Sequence, residues 1–395
     1  MERLLTDSMH YADIADAIRE VNGHSGTYRP SEMAPAIYGL VADLTTTDIF
    51  DRIAESKPFT LLANNASYVA SNIMRMTTVG IALLPRVTHI YKAAFSGCSI
   101  LSSVGAPRCL YVMSEAFANC SVLASINFQM CREVGDRAFS SCRALKMVSL
   151  PACETIRSGA FSNCDRIASA ALPKCVTLGP SAFYGCGSLA SISVPACESV
   201  GNNAFEYCRA LPSFDAPACE YVGAHAFGYC VSLASVSLPA CVTLGGHAFY
   251  DCYNLAEIRL PACVAVSNYA FASCSKLSEA RIPECVTIGA GAFSNCSMLT
   301  MVNLKECTYI GSGVFRGCVR LESLYLAGAS AVTTLGAGAL ASTPIGGYSD
   351  VIGRYGSVYV PASLYRSFKA DSMWSSVASR IVPLTNADLI ALERL

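Results

Sequence analysis

The chain has 395 residues, of which 14 % are Asp, Glu, Lys or Arg and 53 % hydrophobic, where an ordinary soluble domain carries roughly a quarter charged. A net charge of −1 excludes both the basic footprint of a nucleic-acid binder and the self-repelling charge of a disordered chain. Mean hydropathy is +0.41, but the uncharged stretch 221–250 is broken by Gly223, Gly228, Pro239, Gly245 and Gly246, so no apolar helix of about 20 residues and no membrane insertion is expected.

The first 40 residues predict a small helical module. Tyr11 to Ile18 reads as a helix, Asn22-Gly23 and Ser25-Gly26 as turns, and Pro30-Ser31-Glu32-Met33 as the opening of a second helix. Charge runs through the first turn (Glu2, Arg3, Asp7) where a secretory signal would be apolar. A reducing compartment is therefore expected for the 21 cysteines. Residues 41–84 read as a linker and a sealing repeat, with Ile73, Met76, Val79, Ala82, Leu84 and Pro85 at the positions of the repeat that follows.

From Cys98 to Cys318 a cysteine recurs every 11 residues, and every cysteine of the chain lies on this series. The cysteines alternate between two settings, one three residues after Phe (Phe249 to Cys252) and one two residues after Pro (Pro239 to Cys241), so the true period is 22. Phenylalanines from Phe95 to Phe315 keep the same step. A fixed period of this length predicts a solenoid. Within one copy, Ile258 and Leu260 alternate with Glu257 and Arg259 as in a half-buried strand, which Pro261 ends. Gly after the next apolar position (Gly135, Gly179, Gly245) suggests a corner with unusual dihedrals. Phe, both Cys, Leu and the strand residues face inward, and stacking buries what one coil cannot. Ala339-Leu340 arrives three residues late, with Thr343 near the cysteine slot, and Val358, Val360 and Pro361 repeat the strand once more. Residues 362–382, with Leu364, Tyr365, Phe368, Trp374, Val377 and Ile381, read as an amphipathic helical cap. The expected organisation is thus 1–40 helical docking module, 41–84 linker and capping repeat, 85–345 solenoid and 346–395 C-terminal capping segment.

The order Gly, Ala-Phe, Cys, Leu, Ile-x-Leu-Pro resembles the BspA-like (Treponema pallidum-type) leucine-rich repeat family over residues 62–345. The resemblance implies a leucine-rich repeat solenoid of short strands and turns. Thr343-Pro344-Ile345 through Pro361, with Phe368 and Trp374, is similar to the closing segment of such proteins in gut bacteria and their phages. Ile14 to Arg19 with Pro30 to Ala34 resembles a module of phage tail-associated proteins. Together these resemblances imply a virion component that docks to other virion proteins through residues 1–40 and attaches to a bacterial surface glycan or protein. A bacterial cell-surface adhesin or general protein-binding scaffold is the alternative, and a homo-oligomer is compatible with either.

No motif of a nucleophile elbow, phosphate loop or metalloprotease helix is present, and carboxylates such as Asp215, Glu220 and Glu257 are scattered, so neither catalysis nor a cofactor is expected. The cysteines read as small buried side chains rather than disulfides or zinc ligands, since the count is odd and no Cys-x-x-Cys pair occurs. His225 and His247 share one repeat position, with Tyr269 next; repetition alone accounts for such a column. Two surfaces are candidates for binding. One is the strand column with Ser191, Ser193, Ser213, Ser235 and Ser237, small and uncharged. The other follows the phenylalanine, with Tyr184, Tyr207, Tyr229 and Tyr250, and Tyr253 on a neighbouring slot. These tyrosines are expected to form one column, suited to sugar stacking or protein contact or else to packing between coils.

Overall fold

The computed structural model describes residues 59–62, 67–69 and 79–385. It divides into two compact units, Met1–Val194 and Pro195–Leu395, each a stack of coils. The helical module expected over 1–40 lies outside the described residues, as do Ile73 and Met76 of the sealing repeat.

Each coil carries two short strands. In one coil of the second unit, Glu257–Arg259 turns Ile258 inward and both charged neighbours out, and Ala265–Val266 buries only its second residue. In the first unit, Met147–Ser149, Ser169–Ala171 and Ser191–Ser193 pair in parallel, residue against equivalent residue. In the second, Glu257–Arg259, Glu279–Arg281, Met301–Asn303 and Ser323–Tyr325 do the same. Such a register turns each position of the repeat into a column, and a slip by one residue would turn the buried set outward.

The turn holding the phenylalanine is itself a hydrogen-bonded ladder. His225, Phe227 and Tyr229 donate their N–H groups to the carbonyls of Gly246, Ala248 and Tyr250 in the next coil, at 2.9, 2.7 and 2.8 Å. The N–H groups between them, of Ala226, Gly228 and Cys230, stay within the coil and donate three residues back. This alternation needs two left-handed residues per turn, two before and two after the phenylalanine. The later place mostly holds Asn, Ser or Gly, such as Asn163 (φ 57°), Asn295 (φ 62°) and Gly317 (φ 80°), and the earlier one is more varied, with Glu115 (φ 59°) and Arg137 (φ 53°) beside Gly159 and Gly313.

Behind the turn the phenylalanine rings stack. Phe117 to Phe139 and Phe139 to Phe161 are 5.0 and 5.2 Å apart, and Phe227 to Phe249 and Phe249 to Phe271 are 5.1 and 5.3 Å apart. All 21 cysteines are buried and none is in a disulfide. Each class has its own carbonyl partner. Cys252 Sγ donates to the Phe227 carbonyl of the preceding coil at 3.1 Å, and Cys142 to that of Phe117 at 3.1 Å. Cys263 and Cys131 instead donate two residues ahead, to Ala265 and Glu133. The slot therefore selects a small side chain with a weak donor, not merely a small apolar one.

The glycine after the shorter strand has a different cause from the one its sequence suggested. Its φ is not positive at Gly135, Gly179, Gly245 or Gly289; a Cβ there would meet backbone atoms of the preceding coil at 2.7, 2.8, 2.5 and 2.5 Å. Close approach of two backbones, rather than a left-handed corner, requires it.

The C-terminal segment also departs from expectation. In place of one amphipathic helix over 362–382 there are a helix Tyr365–Ala370 and a 3-10 helix Ser375–Arg380, six residues each. Asp371 breaks them apart, its Oδ1 accepting the Met373 N–H at 2.8 Å as an Asx turn. Trp374 is buried edge-on against Phe368, with ring centroids 5.4 Å apart, and its Nε1–H donates to the Thr333 carbonyl at 2.7 Å. The strand Ile381–Pro383 pairs with Ser357–Val360, and Pro383 there offers no N–H for a further strand. Thr343, near the cysteine slot of this irregular coil, is buried and donates its hydroxyl to the Leu340 carbonyl.

Candidate binding surface

The strand serines and the turn tyrosines occupy different edges of the coil. Ser191 and Ser193 lie exposed in the first unit, opposite Ser169 and Ala171. In the second unit, exposed Ser213 faces Ser235, and Asp215 faces Ser237. Within each unit these strand positions present small side chains. Tyr184, half-buried, lines a shallow groove of about 610 Å³ in the first unit with Glu115, Arg137, Ser140, Asn163 and Ser181.

In the second unit the same turn edge is filled with rings. Tyr207 and Tyr229 are stacked, 4.8 Å between centroids and 8° from parallel. Tyr250 follows the phenylalanine by one residue instead of two, so the single column expected from sequence becomes two registers. Its ring stands at 73° to Tyr229, 5.4 Å away. The position two before the phenylalanine adds a second row: His225 and His247 stack at 4.6 Å and 3°, and His247 and Tyr269 at 5.0 Å. Tyr250 joins the rows, 5.5 Å from His247. Six rings thus form one contiguous patch, half-buried except for Tyr269, which is exposed. Tyr253 is exposed beside it.

Stacking along the coil axis uses up the ring faces of Tyr207 and Tyr229, so the patch offers outward edges and hydroxyls rather than a flat platform for a sugar ring. Two carboxylates, Glu206 and Asp251, adjoin the rings. Glu206 is buried, accepts the Asn203 side-chain N–H at 2.6 Å and lies 3.9 Å from His225 Nδ1, which has no hydrogen-bond partner. Burial and the neighbouring His225 hold the His247 imidazole below its ordinary value, so it is neutral at neutral pH. Asp251 takes the left-handed place that Tyr207 and Tyr229 hold in earlier coils (φ 57°). Burial and the neighbouring Tyr207, Tyr250, Asp251 and Glu206 push the Tyr229 phenol up. The charge of Asp251 pushes up that of Tyr253, burial and a hydrogen bond to Asp251 adding to the effect.

The sequence showed the tyrosines and the histidine column but not that they meet, because residues two before and two after Phe converge only once the turn has its alternating backbone. Asp251 was not singled out from the sequence; its 22-residue spacing from Tyr229 was the signal for its place. Among the described residues no group of three or more His, Cys, Asp or Glu is arranged to hold a metal ion, and no helix is long and apolar enough to cross a membrane.

No curated protein matches the chain at a significant level. Among solved structures, a leucine-rich repeat protein from Bacteroides ovatus is 21 % identical, with 81 % of this chain and 88 % of that one covered at a TM-score of 0.57, which establishes a common fold. A leucine rich cell surface protein from Faecalibacterium prausnitzii is 18 % identical, covering 83 % and 86 %, with a TM-score of 0.39. A leucine rich repeat protein of Treponema pallidum is 22 % identical, covering 56 % and 78 %, with a TM-score of 0.22. The model of the BspA type leucine rich repeat region, in six copies, matches residues 88–212, 176–264 and 220–345. These spans together take in more than half of the chain, so the protein belongs to the BspA-type leucine-rich repeat family.

Proposed function

We propose that the protein is a non-catalytic binding scaffold of the cell-surface adhesin kind, which holds a partner on the turn edge of its second unit. One observation carries this reading. Tyr207 (φ 64°), Tyr229 (φ 59°), His225 (φ 54°), His247 (φ 56°) and Tyr269 (φ 56°) all occupy left-handed backbone, which costs a residue other than glycine roughly 1–2 kcal/mol. At the place two after the phenylalanine the other coils hold Gly, Asn, Ser or, once, Asp, such as Gly97, Asn119, Ser141 and Asp251, whereas the place two before it also carries Ala93, Glu115 and Arg137. Bulky rings kept at a conformational disadvantage on successive coils point to a role outside folding. Tyrosine suits it, with a rigid body and a polar tip that make good contact anchors. The virion role implied by residues 14–19 and 30–34 draws no support from the family or the fold, and the scaffold reading draws on both.

The test is the double substitution Tyr207→Asn and Tyr229→Asn, which installs the residue that Asn163 and Asn295 already supply in other coils. On an array of extracellular proteins and surface glycans, the substituted chain should lose the ligand that the wild type retains. Its melting temperature should hold or rise. Unchanged retention would overturn the assignment, and a fall of several degrees would give the rings to packing instead.

A further inference from the structure

The aromatic patch has two ends, and they differ in charge. At the end that begins with Tyr207, the Arg209 guanidinium lies 5.7 Å from the ring centroid, a cation–π contact made by the chain to itself. Two coils further on, the left-handed place holds Asp251, and the residue two beyond it is Tyr253 where the first coil has Arg209. Asp251 continues the column of left-handed places held by Tyr207 and Tyr229, follows directly on Tyr250, whose ring stands edge-on to Tyr229, and is hydrogen-bonded to Tyr253. Asp251 and Tyr250 are half-buried and Tyr253 is exposed, so the cluster is open to solvent. Among the described residues Asp251 forms no ion pair. Lys276 of the next coil, whose backbone N–H donates to the Tyr253 carbonyl, places its Nζ on the Asn254 Oδ1 at 2.7 Å instead.

We infer that Asp251 with Tyr229, Tyr250 and Tyr253 forms a receptor for a guanidinium or ammonium side chain, and that the partner of the turn edge is a protein segment bearing arginine or lysine. The inference deepens the scaffold reading and rests on it. Its chemistry is complementary in two ways: the carboxylate supplies the charge, and the exposed Tyr253 ring, outside the stack, supplies a π-face beside the phenol hydroxyls of Tyr229 and Tyr250. Arg209 over Tyr207 shows that rings of this patch accept such a group.

The test uses the full chain labelled with carbon-13 on its tyrosine rings, titrated with a short peptide carrying two arginines and with its citrulline counterpart, which keeps shape and hydrogen bonding without the charge. Saturable shifts of the Tyr229, Tyr250 and Tyr253 signals are expected with arginine alone, weakening as salt is added. Asp251→Asn should bind roughly tenfold more weakly, about 1.4 kcal/mol, and folds because Asn also accepts left-handed backbone. Asp215→Asn, on the strand face, should change nothing. Equal shifts with citrulline, no saturable shift, or undiminished binding by Asp251→Asn would each overturn the inference. If the arginine peptide fails while Tyr207→Asn with Tyr229→Asn still abolishes ligand retention, the cation receptor falls alone and the scaffold reading stands.

Discussion

At the scale of single residues, the cysteines show how a repeated slot is chosen. Almost all of them bury a thiol against a backbone carbonyl, as Cys120 does with Phe95 at 3.0 Å and Cys307 with Tyr309 at 3.4 Å. Burial pushes these thiols up from the ordinary 9.0, to about 11 at Cys263 and Cys307 and about 12 at Cys109, Cys131 and Cys164. A neutral thiol neither attacks a disulfide nor reacts quickly with reagents, so two measurements follow. Native protein at pH 8 should label at few of its 21 cysteines, with full labelling only in denaturant; rapid native labelling would contradict the buried thiol columns. The effect on stability has a definite sign. Because the folded state holds its thiol protons more tightly than the unfolded state, this contribution is complete below pH 9 and is lost as pH rises through 11 to 12. The midpoint of urea unfolding should therefore fall steadily above pH 9. A midpoint that stayed level to pH 11 would mean that the thiols are ionised or exposed in the fold.

At the scale of the element, the two kinds of glycine do opposite jobs. Gly185 and Gly317 take left-handed backbone in the turn, whereas Gly179 and Gly245 let one coil rest its backbone on the next. Gly179→Ala would bring a Cβ to 2.8 Å of Arg157 C and 2.9 Å of the Ile156 carbonyl oxygen. Those are main-chain atoms held by the ladder on both sides, and no rotamer relieves the clash. The expected loss is about 1–3 kcal/mol in urea denaturation. Gly187→Ala, in the same unit and with nothing within 4 Å, should be neutral or slightly stabilising. Equal effects of the two substitutions would show that the coils are spaced more widely than described. The sequence led to the right residues here for the wrong reason. Period and position marked the glycine as special, but a close approach between coils is a property of stacking and leaves no mark on one copy. The tyrosines suffered the same limit. Their spacing placed them on one edge, yet an offset of one residue at Tyr250 and the two left-handed places per turn decide which rings touch. Those backbone dihedrals are visible in the Asn, Ser and Gly of neighbouring coils only when the coils are laid over one another.

At the scale of the whole molecule, the architecture was legible because a repeat states its fold many times. Phe, Leu and the two cysteine positions were all assigned inward, and all are buried. The end of the array was less legible, since Asp371 and Ser372 interrupt the apolar pattern of 362–382 locally and no second copy exists to average the signal. Repetition also makes the unit of tolerated change predictable. In the second unit each position of Glu279–Arg281 is replaced, one coil on, by the same position of Met301–Asn303. Deleting residues 279–300 joins Ser278 to Met301, so Glu257–Arg259 meets a new partner in the old register, Phe271 meets Phe315, and the short strand Ala265–Val266 meets Tyr309–Ile310. Only nearest-neighbour contacts hold a solenoid together, so this chain should keep its far-UV circular dichroism per residue, unfold cooperatively, and bind the arginine peptide as before, because Tyr229, Tyr250 and Asp251 are untouched. Deleting the 11 residues 279–289 joins Ser278 to Ala290 and carries the phenylalanine turn into the place of a strand. Although shorter by half as much, this deletion exchanges the two cysteine classes and leaves the parallel ladder without a partner, and it should abolish cooperative unfolding. Equal tolerance of both deletions would mean that 11 residues, not 22, is the structural period, and that the difference between the Phe and Pro halves of the coil does not govern stacking.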